Sequence, residues 1–98
     1  MRGFYLYGQG LSFSPRVRPV AKRWDSFFQC WRVQCRVTGR SAAHRFHGYT
    51  PGREVWTRPR SLYATRRVQR GTCGRLVYSD PITAAELDSL PVVDGGAA

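Results

Sequence analysis

The chain is 98 residues long and carries a net charge of +10, with sixteen Lys and Arg against six Asp and Glu. That length has room for one small domain, or one domain with a tail, and buries only part of its surface. Three cysteines, an odd number, exclude a fully paired disulfide framework within one chain.

Residues 1–24 hold no acid and carry Arg2, Arg16, Arg18, Lys22 and Arg23 with Ser12 and Ser14. That composition is compatible with an organellar transit segment, but Gly3, Gly8, Gly10, Pro15 and Pro19 argue against the amphipathic helix such segments form. "RGFYLYGQGLSFS" reads as two short strands around the glycines at 8 and 10. In "SPRVRPV", Pro15 and Pro19 predict an edge strand or an extended arm. An arm carrying Arg16, Arg18, Lys22 and Arg23 would lie along a phosphate backbone or serve as a solvated linker.

The cleanest periodicity falls over residues 26–38 and predicts the central strand of the core. Odd positions, Phe27, Gln29, Trp31, Val33, Cys35 and Val37, form the expected buried face. Even positions, Phe28, Cys30, Arg32, Gln34, Arg36 and Thr38, form a polar, basic face, and Gly39 ends the run. "TPG" at 50–52 signals a turn, and "REVWTRPR" reads as a short strand stopped by Pro59. Residues 61–69 and 75–79 read as a hairpin around "RGTCG", with a helix over 60–69 as the competing assignment. "DPITAAELDSL" predicts a helix capped by Asp80 with Pro81 at its first position. Pro91 ends it, and "VVDGGAA" reads as a loose tail.

Together these elements predict a β-rich α+β fold, a small antiparallel sheet or open barrel of five to seven short strands with one C-terminal helix. The charge divides the chain in two. Residues 1–79, the expected basic β-rich domain, carry all sixteen basic residues with only Asp25 and Glu54, a net +14. Residues 80–98, the expected acidic helix and tail, carry four acids and no base, a net −4. Such a tail either folds back on the basic body in competition with phosphate or serves only solubility.

Three constellations are candidates for chemistry. Cys30 and Cys35 followed by His44 and His47 offer four zinc-ligand types. Their spacing departs from that of zinc fingers, and on a strand the two cysteines have opposite parity. No metal or cofactor is expected. Cys73, between Arg70 and Arg75, has the surroundings of an activated thiol. No motif ties it to a histidine or an orienting acid, so a non-enzymatic protein is expected.

The third constellation is basic and aromatic. Arg32 and Arg36 share one strand face, and Arg58, Arg60, Arg66, Arg67 and Arg70 follow, with Trp56 and Tyr63 beside them. Cations contact phosphates and flat rings stack on single-stranded bases, so the expected partner is nucleic acid, RNA or a nucleoprotein. The alternative is an interaction or assembly factor, of phage or viral accessory type, whose arginines meet an acidic protein surface. A third reading is a GC-rich reading frame without a settled function, since fifteen of the sixteen basic residues are Arg. With no apolar leader and no run of ~18 apolar residues, the expected setting is cytoplasmic or intracellular, not secreted, with no membrane partner.

Overall fold

Alternating basic and apolar residues build the longest ladder of the molecule. The computed structural model describes residues 1–7, 14–39, 48–69, 71 and 75–93. Its strands are β1 (Phe4–Leu6), β2 (Arg16–Asp25), β3 (Cys30–Val37), β4 (Glu54–Thr57), β5 (Leu62–Val68) and β6 (Leu76–Pro81). A 3-10 turn, Pro59–Ser61, precedes β5, and one short helix, α1 (Ala84–Asp88), follows β6. The strands form one antiparallel sheet in the order β4-β3-β2-β1-β5-β6. The sheet is open, not a closed barrel. The competing helix over 60–69 is replaced by the 3-10 turn and strand β5.

Register places the apolar partners on one face. Phe4 lies opposite Val17, Val17 opposite Val37, and Leu6 opposite Leu62. Phe4, Leu6, Val17, Val33, Cys35, Val37 and Leu62 are almost wholly buried, and Leu90, beyond α1, closes over them. Ile82 and Leu87 pack against the same cluster. Each fully buried side chain of this size contributes about 1.5–3 kcal/mol, so the helix segment is part of the core. No helix of the described residues is long and apolar enough to cross a membrane.

Three expectations change at this point. Residues 16–25 are neither an edge strand nor an arm: β2 lies inside the sheet, between β1 and β3. Proline lacks the ladder N–H, and an irregularity in register between Pro19 and Ala21 accommodates it within an interior strand. Lys22 does not project toward a phosphate partner either. It is buried, and its Nζ donates to the carbonyls of Leu87 (2.9 Å) and Asp88 (3.5 Å). There it satisfies the orphan carbonyls at the end of α1.

The helix also starts later than predicted. Asp80 lies in β6 with φ 61°, and Pro81 pairs with Tyr63 as the last residue of that strand. Thr83 is the cap: its Oγ1 accepts from the Glu86 N–H (3.1 Å), and the Glu86 carboxylate accepts from the Thr83 N–H (3.1 Å). This reciprocal capping box satisfies two free donors of the first turn. Finally, Phe27 does not belong to the buried face. β3 begins at Cys30, and Phe27 sits in the β2–β3 turn, 84% exposed.

Candidate nucleic-acid interface

The face opposite the core is built by the same ladders. Arg18 lies directly opposite Arg36, and Arg23 directly opposite Arg32. Arg36 in turn lies opposite Glu54, and Gln34 opposite Trp56. On the other side Arg16 faces Tyr5, and Tyr5 faces Tyr63. The result is a surface running from β4 to β5, three interstrand spacings or about 14 Å from β3 to β5.

Two rungs of this surface set arginine against arginine, an arrangement that costs stability on a sheet. Each rung has one acid. Arg36 Nη2 lies 3.5 Å from Glu54 Oε1, and the Gln34 amide also donates to the Glu54 carboxylate. Arg32 Nε lies 3.1 Å from Asp25 Oδ2. Among the described residues Arg16, Arg18, Arg23 and Arg66 make no ion pair with any acid, so the face remains strongly positive. Asp25 is held below the usual carboxylate range, chiefly by the Phe28 N–H and then by Arg32 and the Phe27 N–H.

The arginines also cover rings. Arg23 lies 4.3 Å from the centre of the Trp56 ring, and Tyr5 has Arg66 at 4.6 Å and Arg16 at 5.0 Å. Arg32 and Arg58 approach Phe28 at 5.3 and 5.4 Å. Such contacts stabilise weakly, about 0.5–1 kcal/mol at exposed sites.

The structure groups the sequence-predicted residues unevenly. Arg32, Arg36 and Trp56 share the β3–β4 half of the face. Arg58 and Arg60 flank it at the 3-10 turn, where they line a groove of about 330 Å³ with Phe28, Cys30 and Pro59. Arg66 reaches Tyr5 near the middle of the sheet, while Arg67 stands exposed opposite Val77 on the β5–β6 hairpin. Tyr63 joins Tyr7 and Tyr78 around a second cavity of about 300 Å³ that includes Arg75. Arg70 lies outside the described residues, as do Cys73, His44, His47 and the turn at 8–10.

Sequence reasoning missed Arg16, Arg18, Arg23 and Tyr5 as members of this face. The alternation of "RVR" at 16–18 was the available signal, masked by the prolines on either side. Cys30 and Cys35 part as parity requires: Cys35 is buried in the core, while Cys30 is half-buried in the groove. Burial pushes the Cys35 thiol up to about 12. Among the described residues no three His, Cys, Asp or Glu side chains converge on a metal-sized site.

The fold and its surface define a small open antiparallel sheet with one apolar and one arginine–aromatic face. Comparison with protein-family models, with curated proteins and with solved structures finds no match to this chain.

Proposed function

We propose that this is a non-enzymatic nucleic-acid-binding protein that contacts RNA or a nucleoprotein through the arginine face of its sheet. The observation that supports this best is the pair of like-charge rungs, Arg18 opposite Arg36 and Arg23 opposite Arg32. A fold that keeps four guanidiniums in two adjacent pairs, with one acid per pair, bears a repulsion that a polyanion relieves. The two rungs are spaced to reach separate phosphates: Arg32 and Arg36 stand four residues apart on β3, about 13 Å. Arg32, Arg36, Arg58, Arg60 and Arg66 would contact phosphate together with Arg16, Arg18 and Arg23, and Trp56 would lie beside them.

The test is binding of labelled RNA across a salt series by fluorescence anisotropy. Wild type should show a log–log slope worth several phosphates, and Arg18→Gln with Arg36→Gln should flatten it by about 1.5–2. A protein that ignores nucleic acid at physiological salt yet captures an acidic protein would sink this reading in favour of an assembly factor.

A further inference from the structure

We infer that the tip of the β2–β3 hairpin is a stacking wedge for unpaired bases, so that the preferred partner is a single strand and not a uniform duplex. The inference rests on the nucleic-acid reading above and moves the stacking role from Trp56, which Arg23 covers, and Tyr63, which packs against Tyr7 and Tyr78, to the tip and above all to Phe27, which is 84% exposed. The hairpin outruns its neighbours. β4 pairs with β3 only over Val33–Arg36, and β1 meets β2 only at Arg16 and Val17. The rungs Arg23–Arg32, Trp24–Trp31 and Asp25–Cys30 therefore project with no flanking strand.

The projecting turn is ordered. Asp25 Oδ1 accepts from the Phe27 N–H (3.0 Å) and the Phe28 N–H (3.1 Å), and the Gln29 amide donates to the Ser26 carbonyl (2.7 Å). What this turn presents is apolar: Phe27 is 84% exposed, Phe28 54% and Trp24 42%. The Phe27 and Phe28 rings meet edge to face at 4.8 Å and 81°; Arg32 and Arg58 lie over Phe28, whereas no cation of the described residues lies over Phe27. Aromatic rings held in water by a pre-formed turn lose little entropy on meeting a flat partner, and stacking a base on one contributes about 1–3 kcal/mol.

The chemistry around the tip favours a nucleotide. Phe28 and Pro59 give the adjoining groove apolar walls, Arg58 and Arg60 supply cations beside them, and about 330 Å³ is room for a base. Behind the tip, the two arginine rungs continue down the hairpin as a track for the following phosphates. An anionic bilayer fits less well. Asp25 and the polar turn would have to enter hydrocarbon together with the phenylalanines, which is costly. The cations also run along the hairpin instead of forming a collar at one depth.

The experiment compares wild type with Phe27→Ser on a short mixed-sequence single strand, its duplex, and phosphatidylserine vesicles, following Trp fluorescence. Phe27 is 84% exposed, so the variant should keep the wild-type circular dichroism spectrum. Wild type should prefer the single strand with quenched emission. The variant should lose about tenfold in single-strand affinity, with duplex affinity and salt slope unchanged. Equal single-strand binding by the two proteins, with the salt slope intact, overturns the wedge and leaves the arginine face standing. Tip-dependent vesicle binding without single-strand preference overturns it in favour of a membrane. No salt-dependent nucleic-acid binding by wild type removes the underlying reading and the wedge with it.

Discussion

The base and the tip of the β2–β3 hairpin follow one pairing rule and end in opposite environments. At the base, Val17 and Val37 face each other fully buried, because β1 and β4 flank the ladder and Leu90 covers it. At the tip, Trp24 and Trp31 face each other in the same register, their rings 5.4 Å apart, and Trp24 is 42% exposed. Alternation decides which side of the ribbon a residue occupies. Neighbouring strands and the segment that covers the face decide whether that side is dry.

The largest expected effect comes from truncating a ring at the base. Phe4→Ala removes the residue opposite Val17, and unfolding in urea should show a loss of about 3–5 kcal/mol. That is a large share of the ~5–15 kcal/mol available to a domain of this kind. The matched change at the tip, Phe27→Ala, should shift stability by no more than ~0.5 kcal/mol. Similar losses at the two sites would mean that the tip is packed against something.

The two cysteines of β3 sharpen the same contrast. With burial pushing its thiol up to about 12, Cys35 stays protonated at pH 8. Alkylation followed by peptide mass mapping should mark Cys30 first and Cys35 only on unfolding. The folded state holds the Cys35 proton more tightly than the unfolded one, whose thiol titrates near 9. Its contribution is therefore complete below that pH and is lost as pH rises toward 12.

The smallest effect expected to be resolved is at Asp25. Asp25→Ala removes the acceptor for two N–H groups and the partner of Arg32, so the melting temperature should fall by less than for Phe4→Ala. Asp25→Asn should recover part of that fall. The sign with pH follows from the depressed pKa. The carboxylate stabilises above its unfolded value near 3.8, and that stabilisation fades as pH drops through the lower folded value. A melting-temperature deficit of Asp25→Ala that shrinks as pH falls below about 3.8 fits this account, whereas a pH-independent deficit contradicts it.

Much of this fold was legible. Val33, Cys35 and Val37 alternate with Gln34 and Arg36, and burial follows them residue by residue. The strand ending before Pro59 was readable too, and the β5–β6 hairpin was readable beside a competing helix over 60–69. β2 was not, because a proline within a strand ordinarily marks an edge, and the register irregularity that excuses Pro19 has no signature of its own. The helix start was displaced because Asp80–Pro81 satisfies capping rules as well as Thr83–Glu86 does. Arg2 helps explain the outcome: its guanidinium reaches both Asp80 and Glu86, with 2.8 Å bonds from Nε and Nη2 to the Glu86 carboxylate, a contact spanning nearly the whole chain. For the candidate site, the strand face of Arg32 and Arg36 was readable. The Phe27–Phe28 tip was not, since alternation sent one ring inward and gave no sign that the ladder outran its neighbours.

Lys22 is the one lysine of the sequence, and it is tucked beneath the last turn of α1 with its ammonium 4.7 Å from the centre of the Trp31 ring. The chain therefore offers amine-directed acylating reagents a single side chain, and a shielded one. Modification there would report not on the arginine surface but on how often the helix lifts from the sheet. The arginine surface is, by contrast, invisible to such reagents and open only to dicarbonyls that condense with guanidinium.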